Sequence, residues 1–168
     1  MIIGIDASNI RAGGGVTHLS WLLGIFTKKG YQQIERVIVW GGKYTLEQLP
    51  DKAEIELIHK PLLDKNLPVR MAWQRWLLPR CLKQKKCNVL FSPGGILPAG
   101  VSVPTVVMSQ NMLPFESKEA ARFPLFSFMR LKMKLLSRQQ KRSMAQADGL
   151  VFLTRYAKEV VSAALQLD

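Results

Sequence analysis

The stretch that decides the fold is IIGIDASNIRAGGGVTHLSWLL, residues 2–23. It opens with a short apolar run, typical of a buried strand, that ends at Asp6. From Val16 to residue 28, apolar residues recur at helical spacing. Three consecutive glycines at positions 13–15 separate the two segments. A strand, a glycine-rich loop and a helix in this order predict the first unit of an α/β sheet.

The rest of the chain repeats this alternation of short apolar runs and longer amphipathic segments. Further strands are predicted at 36–40, 55–59, 89–91, 105–109 and 150–153. Further helices are predicted at 69–86 (kinked at Pro79), at 124–147, and from Arg155 to the C-terminus. Because the strands are continuously apolar, we expect a doubly wound, Rossmann-like parallel sheet of about six or more strands with helices on both faces. Such folds bind ligands beyond the carboxyl ends of their strands.

Length and composition indicate one globular domain, since the chain has 168 residues, of which 48% are hydrophobic and 21% charged. No apolar stretch reaches the roughly 18 residues that cross a bilayer, and the N-terminus lacks the basic and apolar regions of a secretory signal. Cys81 and Cys87 lack metal-ligand spacing, and we interpret them as free thiols. We therefore expect a cytoplasmic protein in a reducing compartment.

The charge is strongly basic and unevenly placed. The formal net charge is +12, and no Asp or Glu occurs between Asp64 and Glu116 or between Glu119 and Asp148. Such one-sided basicity attracts phosphate, nucleic acid or an anionic membrane without choosing among them. A basic stripe recurs at helical spacing on the longest predicted helix, at Arg130, Lys134, Arg138 and Lys141. The stripe is either an ordinary solvated face or a contact surface for an anionic membrane.

The glycine turn does not fit the common nucleotide motifs. A dinucleotide fingerprint requires glycine where His18 stands, and no Gly-Lys-Ser/Thr follows to make a Walker A loop. A glycine turn at a helix N-terminus nevertheless lets the backbone approach a ligand, and we expect free amides near Val16 and Thr17 that favour a negative group. The alternative is a flexible turn without a ligand. His18 is either a general base or a residue that orients the loop.

Two amides, Gln110 and Asn111, follow the fifth predicted strand. Because an amide both donates and accepts hydrogen bonds, the pair suits a hydroxyl-rich ligand; the alternative is a capped turn. The sequence contains no nucleophile elbow, no His/Cys/Asp/Glu cluster with metal-ligand spacing and no pair of carboxylates in one loop. We therefore expect no metal and no complete catalytic constellation in these residues.

Four segments in a fixed order resemble one family. They are IGIDASNIRAGGGVTHL (3–19), NVLFSPGGILP (88–98), VVMSQNMLPFE (106–116) and QKRSMAQADGLVFLTRYAKEVV (140–161). Together they resemble the N-terminal half of the retaining glycosyltransferases with two Rossmann domains (the GT-B architecture, family 4), over essentially the whole chain. In that family the N-terminal domain binds the sugar acceptor and the C-terminal domain binds the nucleotide-sugar donor. Transfer takes place in the cleft between them, usually without a metal.

The resemblance implies roles for particular residues. Those that match the family's glycine-rich loop, which reaches over the donor diphosphate, are Gly13, Gly14, Gly15 and Val16. The family's His-Asp pair is replaced by Gln110 and Asn111, which removes the ionisable groups. The residues that would contact the acceptor or the transferred sugar are Asn9, Arg11, Gln110, Asn111, Thr154 and Arg155. His18 is the candidate for acid–base chemistry.

The resemblance does not extend to the family's donor-binding domain. We therefore expect residues 1–168 to be a single acceptor-side domain, inactive alone, from bacterial surface polysaccharide or lipopolysaccharide synthesis. Its expected partners are a sugar or lipid-linked sugar acceptor, a nucleotide-sugar donor held by the second domain, and the inner face of the cytoplasmic membrane. No separate cofactor and no nucleic acid is expected. A basic nucleic-acid-binding module and a non-catalytic membrane- or partner-binding module stay open as alternatives.

Overall fold

The computed structural model describes residues 1–26, 30–109 and 128–165, with the backbone alone at 109 and 128–133. Within these residues, six parallel strands form one sheet in the order β3-β2-β1-β4-β5-β6. The strands are β1 Ile2–Asp6, β2 Arg36–Gly41, β3 Ile55–His59, β4 Val89–Ser92, β5 Thr105–Ser109 and β6 Gly149–Phe152. The predicted parallel sheet is confirmed, and each strand ends within one residue of its predicted position.

Six α-helices accompany the sheet in the described residues. They are α1 Gly14–Ile25, α2 Lys43–Leu46, α3 Leu67–Ala72, α4 Leu78–Gln84, α5 Phe128–Gln146 and α6 Arg155–Leu165. A 3₁₀ turn, Pro61–Asp64, precedes α3, and a π turn, Trp73–Leu77, joins α3 to α4. The predicted helix 69–86 is therefore one helical run with a wide turn just before Pro79. Proline has no N–H to donate to the carbonyl four residues earlier, so the regular ladder breaks there.

Alternate residues of the strands enter different clusters, so the sheet is covered on both faces. Val39 of β2 is buried with Leu23 of α1, whereas Trp40, the next residue of the strand, is buried with Leu82 of α4. Successive side chains of a strand point to opposite faces, so α1 and α4 lie on opposite sides of the sheet. A third cluster joins β5 and β6 to α5 and α6. The prediction of helices on both faces is thus confirmed.

The strand order reverses at β1. From β1 the chain proceeds to β2 and β3 on one side, and then returns through the α3–α4 run to β4 on the other side. β1 therefore pairs in parallel with both β2 and β4. Open parallel sheets bind ligands beyond the carboxyl ends of the strands at such a reversal. The loops that follow Asp6 of β1 and Ser92 of β4 border the expected binding crevice.

Lys52 fixes the far end of α1. Its ammonium donates to the carbonyls of Leu23 at 3.1 Å and Phe26 at 2.9 Å, and also to that of Gly24. The last carbonyls of a helix lack partners within the helix, and a positive charge there complements the helix dipole. Lys52 thus holds the C-terminal end of α1 in place.

Candidate functional site

Asp6, the last residue of β1, is a buried carboxylate. Only 1% of the residue is exposed. Its Oδ1 accepts from the Ser8 amide at 3.0 Å, and its Oδ2 accepts from Nε2 of Gln74. Burial raises the pKa of Asp6, and the hydrogen bonds from Ser8 and Gln74 offset part of this rise. Asp6 therefore ties the start of the β1–α1 loop to the π turn.

Further bonds hold the loop that follows Asp6. Arg70 of α3 donates from Nη1 to the Ser8 carbonyl at 2.9 Å. Thr45 of α2 donates from its hydroxyl to the Ile10 carbonyl at 2.6 Å. Residues 7–10 are thus bonded to two separate helical segments.

The N-terminus of α1 opens onto the same edge of the sheet. Gly13 has a φ of +68°, which a residue with a Cβ rarely adopts, and its carbonyl accepts from the amides of Val16 at 3.1 Å and Thr17 at 3.3 Å. The expectation of free amides near Val16 and Thr17 is therefore wrong, because the helix begins at Gly14. Among the described residues, no group accepts from the amides of Gly14 and Gly15, so these two are free for a ligand.

A cleft of about 930 Å³ lies beyond the carboxyl ends of β1 and β4. It brings together five predicted site residues, Asn9, Arg11, Gly14, Gly15 and His18. Its charged side chains are Arg11 and Arg70, and its described lining contains no Asp or Glu. Desolvation, with Arg11 nearby, lowers the pKa of Arg70, but a guanidinium stays protonated in proteins. The cleft thus offers positive charge and N–H donors to an anion.

The other predicted ligand-binding residues lie away from the cleft or outside the description. Val16 is buried in the core, because it belongs to the stripe of α1 that faces the sheet, and its amide is already used. Thr154 caps the first turn of α6 through its hydroxyl, and neither Thr154 nor Arg155 lines the cleft. Gln110 and Asn111 lie outside the described residues.

The basic stripe is described in part. Lys134 and Arg138 are exposed and Lys141 is half-buried. Arg130 belongs to the residues of which the structure describes only the backbone. Leu135, beside Lys134, is 56% exposed. No helix in the described ranges combines the length and the apolarity needed to cross a membrane.

Gln140 of α5 also lines the cleft. It is 6% exposed, and its Oε1 has no hydrogen-bond partner among the residues that the structure describes. A Cβ at Gly95 would lie 3.0 Å from its Nε2, and Gly95 has a φ of +76°, so both space and backbone favour glycine there. An unpaired buried polar atom costs about 1–3 kcal/mol. A ligand hydroxyl that reaches this carboxamide would remove that cost.

Sequence patterns do not reveal Arg70, Gln74 or Gln140 as residues of the site. Arg70 belongs to the basic run, but nothing in its spacing separates it from the other arginines. Gln74 meets Asp6 across 68 positions, and periodicity reports only on near neighbours. One feature of the sequence could have identified Gln74: it is a polar residue, next to Trp73, on an otherwise apolar helix face. A polar residue at such a place needs a buried partner.

His59 has a partner that the sequence analysis does not identify. Its Nε2 lies 2.6 Å from Oδ2 of Asp64, and Oδ1 of Asp64 accepts from the Lys43 amide at 2.8 Å. The hydrogen bond with His59 lowers the pKa of Asp64. The pair ties the end of β3 to the start of α2. In the described part of the chain, no group of three or more His, Cys, Asp or Glu is placed to hold a metal ion.

In comparisons with known proteins, no protein-family model matches the chain and no curated protein is significantly similar to it. The functional assignment therefore depends on the fold, on the geometry of the cleft and on the sequence motifs.

We predict that Gln74→Leu destabilises the fold in a pH-dependent way. Losing this donor leaves the buried Asp6 carboxylate with fewer hydrogen bonds and raises its pKa further. The folded state then binds the Asp6 proton more tightly than the unfolded chain does, so stability falls as the pH rises. The loss should be about 2–3 kcal/mol at pH 7 and smaller near pH 4, as measured by urea unfolding.

Gln84→Leu is the matched control, because Gln84 is exposed at the end of α4. We expect it to change the free energy of unfolding by less than about 0.5 kcal/mol at either pH. A loss for Gln74→Leu that is the same at both pH values would contradict the role given to Asp6.

Proposed function

We propose that the chain is the acceptor-side half of a nucleotide-sugar-dependent retaining glycosyltransferase of bacterial surface polysaccharide or lipopolysaccharide synthesis. The cleft at the strand reversal is the observation that carries this proposal. Its lining contains the two free helix amides, of Gly14 and Gly15, and two guanidiniums, of Arg11 and Arg70. No acidic side chain belongs to its described lining. A diphosphate matches this arrangement, since it presents several anionic oxygens to N–H donors. That the reaction is glycosyl transfer is inferred from the sequence motifs, which resemble those of the retaining glycosyltransferases.

In this proposal the cleft stabilises the negative charge of the leaving group, which is the nucleoside diphosphate. During transfer from a nucleotide sugar, the bond between the anomeric carbon and a diphosphate oxygen breaks, and negative charge collects on the diphosphate. Donors that are already in place stabilise such developing charge at little cost in reorganisation. Gly14 and Gly15 supply two amides at the positive end of the α1 dipole. The donor-binding domain of the enzyme would hold the nucleotide.

The remaining polar groups of the cleft are assigned to the acceptor. Formation of the new glycosidic bond requires an acceptor hydroxyl to lose its proton. His18, half-buried in the cleft, is the candidate to receive that proton. Asn9 donates to Gln74 at 3.4 Å, which leaves its oxygen for a ligand hydroxyl, and Gln140 supplies a second carboxamide.

We predict that Arg70→Gln and Arg11→Gln each weaken pyrophosphate binding about tenfold. Each change removes one guanidinium from the cleft, and a hydrogen bond to a charged group contributes about 1.5 kcal/mol or more. Isothermal titration calorimetry of the 168-residue chain at low ionic strength measures the affinity. Two variants are used because Arg70 also holds the Ser8 carbonyl, whereas the one bond of the Arg11 side chain within the described residues is a long one, 3.4 Å, to the Lys65 carbonyl.

Arg80→Gln is the control for these two variants. Arg80 is exposed on α4 and does not line the cleft. Its replacement should change the pyrophosphate affinity less than about twofold, because exposed charges at a distance are screened. Equal losses in all three variants would refute a specific diphosphate cleft, and so would an unaltered chain that binds no pyrophosphate.

We also propose that α5 places the enzyme against an anionic membrane, because exposed Lys134 and Arg138 flank the exposed Leu135. Each basic residue near such a surface contributes about 1 kcal/mol. Replacing both with Gln should reduce the affinity for phosphatidylglycerol vesicles, measured by co-sedimentation, roughly 30-fold, and phosphatidylcholine vesicles should bind neither protein. The control replaces two exposed lysines elsewhere, as Lys83→Gln with Lys86→Gln. An equal loss of vesicle binding in this control would show only general charge attraction.

A further inference from the structure

A second depression, here named the groove, adjoins the cleft. It has a volume of about 500 Å³ and lies between the α3–π-turn run and α5, with residues 96–99 along its side. Leu67 and Ile96 line both the groove and the cleft. A ligand that occupies the cleft can therefore extend into the groove while staying in contact with the protein.

Three large apolar side chains of one helical run line the groove and are exposed. Leu67, Met71 and Trp76 are 45%, 40% and 62% exposed. Trp73, three residues before Trp76, is only 2% exposed. Residues three apart share a face of an α-helix, but the π turn is wider and separates the two indoles. The π turn thus directs Trp73 into the core and Trp76 to the groove. Leu67, Met71 and Trp76 together form an exposed apolar wall of the groove.

The charges of the groove have one sign. Arg75 and Arg142 are the charged side chains of its described lining, both are exposed, and no Asp or Glu lies among these described residues. Guanidiniums bind phosphate oxygens through paired N–H donors. An apolar wall beside two guanidiniums matches an amphiphile that joins a hydrocarbon chain to a phosphate or diphosphate head. A free sugar has no chain to cover this wall.

We propose that the groove binds the lipid part of the acceptor. The hydrocarbon chain of a single-chain lipid diphosphate packs on Trp76 and Met71, and its head lies against Arg75 and Arg142. This inference rests on the proposed function, because it makes the acceptor a lipid-linked sugar. The groove is lined by Gln139 and Arg142 of α5, whereas the proposed membrane contact uses Lys134, Leu135 and Arg138. Apolar burial supplies affinity, and the guanidiniums select a charged head.

The test is a tryptophan-fluorescence titration of the 168-residue chain with three probes. Farnesyl diphosphate, kept below its micelle concentration, carries both chain and head, farnesol carries only the chain, and pyrophosphate carries only the head. We expect farnesyl diphosphate to bind at least about tenfold more tightly than either of the others. Its binding should shift the tryptophan emission of the chain to shorter wavelengths, and this shift should be absent in Trp76→Ala.

Trp76→Ala and Trp21→Ala form a matched pair. Trp21 is 63% exposed on α1 and does not line the groove. By isothermal titration calorimetry, which needs no tryptophan reporter, Trp76→Ala should weaken farnesyl diphosphate binding about tenfold and leave pyrophosphate binding unchanged, whereas Trp21→Ala should change neither by more than about twofold. Arg142→Gln keeps the tryptophan as a reporter. It should weaken farnesyl diphosphate binding at least about fivefold and leave farnesol binding unchanged.

Three results would overturn the inference. The first is an equal loss of farnesyl diphosphate affinity in Trp76→Ala and Trp21→Ala. The second is that farnesyl diphosphate binds no more tightly than pyrophosphate. The third is that phosphatidylglycerol vesicles alone shift the tryptophan emission as much as farnesyl diphosphate does. The last result would assign the apolar wall to the bilayer. If pyrophosphate binds as predicted in any of these cases, the diphosphate cleft stands and only the lipid inference fails. If pyrophosphate does not bind, the proposed function fails with it.

Discussion

The hydrogen bond from Gln74 to the Asp6 carboxylate joins the end of β1, which leads into the cleft, to the helical run that carries Arg70. Both side chains are buried, and they lie 68 positions apart in the sequence. A buried carboxylate without partners is costly, so this bond fixes which part of the helical run faces β1. Arg70, on the same helical run, donates to the Ser8 carbonyl and holds the same loop.

The sheet can be predicted from the sequence because continuous apolar runs report burial on both faces, and the six strands follow from them. The start of α1 is harder, since Gly14 enters the helix through backbone geometry that no side-chain pattern marks. Pro79 signals a break, but it does not say whether the helix bends or widens into a π turn. The Asp6–Gln74 contact is harder still, because it depends on how a helix and a strand meet in three dimensions.

The uneven charge of the sequence predicts an anionic partner but not its location. In the structure, Arg11 and Arg70 line the cleft with the free amides, whereas Arg75 and Arg142 line the groove beside an apolar wall. For the proposed transferase this division has a chemical use. The leaving diphosphate and the acceptor hydroxyl must both approach one anomeric carbon, and separate but adjoining cationic sites let two phosphate-bearing molecules bind without competing.

The β1–α1 loop is held by Asp6, and no described group accepts from the amides of Gly14 and Gly15, which the proposed function assigns to a diphosphate. The most direct test follows the backbone amide resonances of the ¹⁵N-labelled chain during a pyrophosphate titration. We predict that the Gly14 and Gly15 amide protons move furthest downfield, and that those of Val16 and Thr17, already bonded to Gly13, move less. Gly14 and Gly15 resonances that stay unchanged at saturating pyrophosphate would contradict this account.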